Sequence, residues 1–287
     1  MNSIIVFALI NMFGVLGTFL LTALTGHLSF GQASFMSIGA YVSGLLALKW
    51  GLPFPISLLG GLIAAAMSAL LIGLPTLKLH KYFFALITFG FGTAVAALLN
   101  HFTNITGGAM GLSNIPCKTN FLLVVISIII TIGLIRNFVK SNYGRMCIAL
   151  RNDEIASEAI GINVYKTKLL VFVLSAIITS YGGVLYGSFV TYVEPGMFGW
   201  TKSTEWVIYV FVGGVNSLTG AVVAGFILNI LPELLRFVSN WRIFIYSLFI
   251  LIIFNFRPEG LFGEYEISFS MFNNVYKNLF SKLNHRN

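Results

Sequence analysis

Long apolar stretches separated by short polar segments make up most of this chain. About 20 consecutive apolar residues cross the hydrocarbon core of a bilayer as an α-helix, and several stretches reach that length. They lie at 3–24, 55–74, 82–99, 121–138 and 168–190, with shorter ones at 36–48, 204–211, 221–235 and 241–256. The pattern predicts an all-α fold, a polytopic transmembrane bundle of about eight to nine spans. We expect a single transmembrane domain over residues 1–287.

Glycine and polar residues interrupt the apolar pattern at 26–32 and at 213–220, once in each half of the chain. Free backbone groups are tolerated in a bilayer only against protein or a water-filled cavity, so we expect broken helices there. Paired interruptions in the two halves of a transporter indicate a binding path at a pseudo-symmetric interface. The pattern therefore predicts a pseudo-symmetric repeat whose two breaks face each other. An ordinary turn between helices is the alternative for the first break.

A glycine-rich polar loop at 100–120 is a further candidate for contact with a ligand. Glycine lets the backbone turn tightly and approach a ligand or another chain, although a flexible turn has the same composition. The candidate residues of a substrate path lie in or directly after the two breaks and in this loop: Ser29, Gln32, Ser34, Thr106, Gly107, Gly108, Gly213 and Gly214.

The segment 139–167 is polar and basic, and it contains a short helix of its own. Asn152 or Asp153 can cap the N-terminus of this helix, and Gly161 can adopt the left-handed conformation that ends it. One side of the helix is an apolar stripe, because the residues that form it are neighbours on a helical surface: Ile155, Ala156, Ala159 and Ile160. A small amphipathic helix of this kind is suited to binding in a groove of another protein.

The charge distribution predicts the orientation. Charged residues make up 9% of the chain, against about 25% in soluble domains, which excludes a large soluble domain. The net charge of +8 does not indicate nucleic-acid binding, because Lys and Arg accumulate in the cytoplasmic loops of membrane proteins. We therefore expect the segment 139–167 and the tail 264–287 in the cytoplasm. The loop 100–120 holds a single Lys and is expected outside, as is the N-terminus.

The sequence lacks the motifs of nucleotide-dependent and metal-dependent chemistry. No GxxxxGK[ST] and no HExxH motif occurs, and the histidines are scattered along the chain. The apolar stretches hold no pair of carboxylates for acid–base work, which disfavours an enzyme and weakens an ion-coupled carrier. We expect no catalytic residue, no cofactor and no metal site. A partner that supplies the energy for transport fits this pattern best.

The chain resembles the LivM-type permease subunits of branched-chain amino-acid ABC transporters in four blocks of sequence. These blocks are GHLSFGQASFMSIGAY at 26–41, TGGAMGLSNIP at 106–116, RNDEIASEAIGIN at 151–163, and the segment 213–236, which FRPEGLFG follows at 256–263. The same binding-protein-dependent family includes urea and short-chain amide permeases. The resemblance implies a permease subunit of an ATP-binding-cassette importer for branched-chain amino acids, in the plasma (inner) membrane of a bacterium.

The resemblance also implies partners. They are a second permease subunit that completes a heterodimer, two cytosolic ATPase subunits and an extracytoplasmic solute-binding protein, all at a lipid membrane. The block at 158–161 is similar to the loop that contacts the ATPase, which implies a coupling role for Glu154, Ile155, Glu158, Ala159 and Gly161. A permease for urea, short-chain amides or another small solute is the alternative. The rival of a different class is a stand-alone channel or carrier, which leaves the capped helix without a role.

Overall fold

The fold is a bundle of α-helices in a computed structural model that describes residues 2–79, 81–235, 241–257 and 259–263. The tail 264–287, expected in the cytoplasm, lies outside the described residues. The helices are α1 (Asn2–Thr25), α2 (Gln32–Lys49), α3 (Phe54–Thr76), α4 (Lys81–His101), α5 (Thr103–Thr106), α6 (Phe121–Lys140), α7 (Asn142–Asn152), α8 (Glu154–Ala159), α9 (Val164–Val190), α10 (Trp200–Gly213), α11 (Leu218–Leu234) and α12 (Arg242–Phe256). Two short strands, β1 (Leu112–Ser113) and β2 (Tyr192–Val193), and two 3₁₀ helices, Gly108–Met110 and Pro195–Phe198, lie between them.

Small residues bring α2 and α9 together at the centre of the bundle. A Cβ atom built on Gly39 would lie 2.4 Å from the carbonyl oxygen of Ser180, and one on Gly183 would lie 1.9 Å from that of Met36. Glycine at such positions lets the backbones of membrane helices approach closely. Helix α1 packs on α9 beside this contact and is the most deeply buried helix, with fully buried side chains at Ile10, Phe13, Val15 and Leu16.

The outer helices α3, α4 and α6 expose large apolar side chains, among them Leu71, Phe83, Leu86, Leu122 and Ile129. Five helices among the described residues are long and apolar enough to cross a membrane: α1, α3, α4, α6 and α9. Helix α11 and most of α12, from Phe244 on, are shorter apolar helices. The prediction of a polytopic, all-α membrane protein is confirmed.

Contacts along α9 give the directions of the central helices. The Gln32 side chain of α2 bonds to Ser175, and Ala40 lies beside Gly187 further along α9, so α2 and α9 are parallel. Helix α1 runs the other way, because its Phe7 ring packs 5.8 Å from that of Tyr186 near the end of α9. We call the end of the bundle that holds α7 and α8 the basic end. The opposite end, where β1 pairs antiparallel with β2, is the sheet end.

The two interruptions of the apolar pattern are turns between helices, and the prediction of broken helices at these places was wrong. The first turn joins the antiparallel helices α1 and α2, which is the alternative considered above, and the second joins α10 to α11. The backbone of the first turn bonds to its surroundings: Gly26 N–H donates to the Thr22 carbonyl, and Phe30 N–H donates to Thr88 Oγ1. A turn and a break interrupt an apolar stretch in the same way, so the sequence pattern does not separate them.

A half-length helix does occur, but in α10. The chain leaves β2 at the sheet end and enters the bundle through the 3₁₀ helix Pro195–Phe198, where Pro195 and Phe198 are buried. Helix α10 then begins at Trp200, whose ring lies 5.9 Å from that of Phe89, in the middle of α4. With 14 residues, α10 is about 21 Å long, which covers the distance from the interior to the basic end.

Helix α7 is an element that the sequence analysis did not predict in the polar segment 139–167. Ser141 caps it by accepting a hydrogen bond from Gly144 N–H, and Gly144, Cys147 and Leu150 form a buried face at a spacing of three residues. This helix is much less hydrophobic than the transmembrane stretches, so hydropathy does not reveal it. The Ser141 cap and the spacing of the buried residues are nevertheless visible in the sequence.

Candidate functional site

Buried polar side chains gather around the first turn. Gln32 is fully buried at the start of α2, and its Nε2 donates to Ser175 Oγ at 2.7 Å and to Thr179 Oγ1 at 3.1 Å. Ser29 is fully buried too, and Ser34 Oγ donates to the carbonyl of Gly31. Within the described part of the chain, Ser29 Oγ and Gln32 Oε1 have no hydrogen-bond partner. A buried polar atom without a hydrogen-bond partner destabilises the fold, so such atoms are rare in proteins. Contact with a polar solute would explain why they occur here.

The glycines of the second turn are required for close packing of the backbone. A Cβ on Gly213 would lie 2.5 Å from the Gly220 carbonyl oxygen, and Gly214 has a φ of +110°, which favours glycine. The segment after α12 packs against them, with Phe262 N–H donating to the Gly213 carbonyl at 3.3 Å. Packing therefore accounts for Gly213 and Gly214, and their role in a substrate path stays a prediction.

The predicted path residues Thr106, Gly107 and Gly108 lie at the sheet end, away from the two turns. Thr106 Oγ1 donates to the Leu99 carbonyl at 2.6 Å, and Gly107 turns the chain with a φ of +76°. Lys49, at the far end of α2 from Gln32, reaches this region. Helix α2 has 18 residues, so about 25 Å separates the two groups of candidates. The structure does not bring them into one site.

The predicted coupling helix is α8, and its local signals are confirmed. Asp153 Oδ1 accepts from Ala156 N–H at 3.0 Å as the N-cap, and Gly161 follows the helix with a φ of +87°. The apolar stripe lies on the surface: Ile155 is 82% and Ile160 75% exposed, and Ala156 and Ala159 are exposed as well. The side chain at Ser157 is buried and holds the opposite side of α8 to the bundle.

Glu154 faces the bundle and fastens α8 to it. Its Oε2 accepts from the buried Lys168 Nζ of α9 at 2.7 Å, and its Oε1 lies 3.8 Å from Lys81 Nζ of α4. Burial acts to raise the pKa of Glu154, but the hydrogen bond and charge of Lys168, with the charge of Lys81, hold it below its usual value. A cavity of about 700 Å³ opens beside this ion pair, and Glu158 lies on its wall.

Arg151 is the residue of this region that sequence reasoning missed as a site. From the last turn of α7 it bonds both to α1 and to the turn between α10 and α11. Its position in a basic segment was visible in the sequence. Its partners are 128 and 65 residues away, so no local signal identifies them.

The arrangement combines a helical bundle with several helices long enough to cross a membrane, polar atoms buried within it, and an exposed helix suited to a partner. No group of His, Cys, Asp or Glu among the described residues could hold a metal ion. Over residues 1–254 the chain matches the family of the permease component of branched-chain amino acid transport systems. The chain belongs to this family.

Curated relatives are similar over different shares of the chain. The permease protein LivM of the high-affinity branched-chain amino acid transport system of Escherichia coli is 29% identical over 86% of this chain. The chain spans 66% of the length of that relative. The corresponding proteins BraD of Pseudomonas aeruginosa and LivH of E. coli are 27% and 26% identical, over 51% and 44% of this chain and 48% and 42% of their own length. No solved structure matches the chain significantly.

Proposed function

We propose that this protein is a permease subunit of an ATP-driven importer for branched-chain amino acids. The exposed apolar stripe of α8 is the observation that carries the proposal, since it gives a separate ATPase subunit a surface to bind. The printed functions of LivM, BraD and LivH support the substrate class. The protein itself is then not an enzyme, and ATP is hydrolysed on the ATPase subunits.

A second permease subunit and a solute-binding protein complete the proposed importer. E. coli has two different permease proteins, LivM and LivH, of a transport system with the same name, and this chain is similar to both. The exposed apolar faces of α3, α4 and α6 supply the surface for the second permease and for lipid. The binding protein would deliver the substrate at the sheet end, where Thr106, Gly107 and Gly108 lie.

The proposed location is the inner membrane of a bacterium, with the basic end in the cytoplasm. Lys78, Lys81, Lys140, Arg145 and Lys166 all lie at that end, as expected for cytoplasmic loops. With α2, α10, α11 and α12 added to the five long helices, nine helices would lie in the membrane, of which α10 crosses only half. The prediction of a pseudo-symmetric repeat belongs to the same proposal.

The residues proposed to meet the substrate inside the membrane are Ser29, Gln32 and Ser34. Ser29 Oγ and Gln32 Oε1 lack partners among the described residues, so they are free to bond to the charged groups of an amino acid. These residues are fully packed in the present conformation. Access to them therefore requires movement of α2 against α9 or α10.

Substitution of Ala159 by Arg tests the contact with the ATPase. A groove that accommodates alanine has no room for a long charged side chain, and an unpaired charge buried there costs several kcal/mol. Because Ala159 is exposed, the permease itself should fold and reach the membrane. We expect the variant to pair with the second permease but to lose the ATPase subunits on purification, together with stimulated ATP hydrolysis.

Ala109→Arg is the matched control, because Ala109 is exposed at the sheet end and undergoes the same chemical change. It should retain the ATPase subunits. If Ala159→Arg retained them too, with normal stimulated hydrolysis, α8 would not be the coupling element. A stand-alone channel or carrier would then be favoured.

A further inference from the structure

Arg151 connects the segment 142–159 to the end of α1 and to the turn between α10 and α11. Its Nη1 donates to the Ala23 carbonyl at 2.8 Å, in the last turn of α1. The same nitrogen donates to Asn216 Oδ1 at 2.6 Å, in the turn between α10 and α11. An Nη atom of arginine carries two N–H groups, so one nitrogen can make both hydrogen bonds.

The bond from Arg151 satisfies the Ala23 carbonyl, which has no hydrogen-bond partner within α1. The last four carbonyls of a helix lack an intrahelical partner. The N–H that would reach Ala23 belongs to His27, and it donates instead to Thr25 Oγ1 at 3.3 Å. The guanidinium charge also suits the negative end of the α1 dipole. The bond therefore holds Arg151 to the point where α1 passes into the turn that leads to Gln32.

The bond to Asn216 ties the same guanidinium to a separate part of the bundle. Asn216 follows Gly214, whose neighbourhood includes the backbone of Gly260 and Gly263 after α12. Helix α10 leads from this turn back to Ser203, whose Oγ accepts from Ala33 N–H at 2.8 Å, next to Gln32. Both bonds of Arg151 therefore lead to the buried polar group around Gln32, one through α1 and the first turn and the other through α10.

Arg151 is also connected closely to α8, the proposed docking helix. Asp153 ends α7 by donating its N–H to the Ala149 carbonyl at 3.1 Å, and it starts α8 as the N-cap. A single residue thus separates the helices that carry Arg151 and the exposed Ile155. A displacement of α8 by a bound ATPase reaches Arg151 without an intervening flexible loop.

We propose that Arg151 is a positioning residue that transmits the state of the ATPase from α8 to the turns beside the substrate path. This inference rests on the proposed function. Arg151 touches neither ATP nor the substrate. Its two hydrogen bonds couple the positions of α1 and of the α10–α11 turn to those of α7 and α8. Movement of α8 therefore changes the packing around Gln32.

The test uses the whole importer in proteoliposomes: both permeases, the ATPase subunits and the leucine-loaded binding protein. Arg151→Gln and Asn216→Ala each remove the bridge between the guanidinium and Asn216. We expect both to retain the ATPase subunits and basal ATP hydrolysis. Leucine uptake and stimulated hydrolysis should fall about tenfold or more, the scale of one charge-assisted hydrogen bond in a conformational equilibrium.

Two control variants separate the bridge from general effects. Arg145→Gln removes an arginine of the same helix whose bonds stay within its own segment, to Lys140 and Asn142, and it should behave as wild type. Asn216→Asp retains the acceptor and should preserve coupling. Because Arg151 and Asn216 share one interaction, the loss in the double variant Arg151→Gln/Asn216→Ala should be smaller than the sum of the two single losses.

Three results would overturn the inference. They are normal stimulated hydrolysis in Arg151→Gln, additive losses in the double variant, and loss of the ATPase subunits from Arg151→Gln, which would make Arg151 a mere support of the docking helix. Failure of the wild-type permease to bind any ATPase subunit would instead refute the proposed function, and this inference with it.

Discussion

Two glycines, Gly31 and Gly161, are required for different physical reasons. Gly31 has a φ of −101°, which any residue adopts, but a Cβ on it would lie 2.2 Å from the carbonyl oxygen of Thr88. Gly161 has open space around its Cα and a φ of +87°, so only its backbone conformation requires glycine. The first glycine is therefore a packing residue between the first turn and α4, and the second ends a helix.

Gly31→Ala should destabilise the protein, because the added methyl group meets backbone atoms that cannot rotate away. We expect a loss of about 1–3 kcal/mol, as for other overpacked positions. The measurement is the thermal unfolding midpoint of the purified protein in detergent. Gly90→Ala is the control on the facing helix, since no atom lies within 4 Å of its Cβ. It should leave the midpoint unchanged or raise it, because alanine favours the helix by about 1 kcal/mol. Equal midpoints for both variants would contradict the packing role of Gly31.

Residue signals that depend on neighbours in sequence could be predicted, and those that depend on distant contacts could not. Asp153 and Gly161 were predicted as cap and stop because a helix end is determined by the few residues around it. The buried Lys168 gave no such signal. Its partner Glu154 is 14 residues away, and only the fold brings α8 against α9.

At the scale of elements, the ion pair of Glu154 with Lys168 is the shortest charged contact between α8 and the bundle among the described residues, which gives a direct test of how α8 is fastened. Glu154→Gln leaves the buried ammonium of Lys168 with a neutral partner. Removing one member of a buried pair is costly, but Glu154 keeps 37% of its side chain exposed, so we expect a smaller loss of about 1–2 kcal/mol. The thermal midpoint in detergent should fall for Glu154→Gln and not for Glu158→Gln, an exposed change on the same helix. Glu154→Gln/Lys168→Met should recover part of the loss, and no recovery would show that the pair is not what fastens α8.

The ion pair also predicts a dependence on pH. The pKa of Glu154 is lowered in the folded protein, so its stabilising contribution is complete above the unfolded pKa and is lost as the pH falls through the folded pKa. The difference in thermal midpoint between wild type and Glu154→Gln should therefore be constant at neutral pH and shrink in acid. A difference that grew as the pH fell would have the wrong sign for this pair.

Element boundaries were predictable where an apolar stretch ends in polar residues. The long helices α1, α3, α4, α6 and α9 follow from length and hydropathy, because lipid and the neighbouring helices require the same apolar surface. Length and hydropathy did not predict the path of the chain inside the bundle. Helix α10 begins beside Phe89 in the interior, and a short apolar segment gives no indication of its depth.

The whole molecule is polarised: most of the lysine and arginine residues that the structure describes lie at the basic end, although Lys49 lies at the sheet end with the glycine-rich turn and the β1–β2 pair. The positive charge predicts which end is cytoplasmic, although it does not show how the helices pack. The two groups of predicted path residues lie at opposite ends of α2, about 25 Å apart. They therefore suit an entrance and an inner constriction of one route better than a single binding site.

The orientation of the molecule can be tested with its own cysteines. Cys117 is exposed at the sheet end, whereas Cys147 is buried in α7. If the sheet end is outside, an impermeant maleimide added to intact bacterial cells should label the wild-type protein at Cys117, and Cys117→Ser should abolish the label. Tyr143→Cys in the Cys117→Ser background places a thiol at a position of the basic end that is 58% exposed. That variant should be labelled only after the membrane is permeabilised, because the concentration of Lys and Arg predicts that this end is cytoplasmic. Labelling of Tyr143→Cys in intact cells, with Cys117 unreactive until permeabilisation, would reverse the orientation and place α8 where no cytosolic ATPase could bind it.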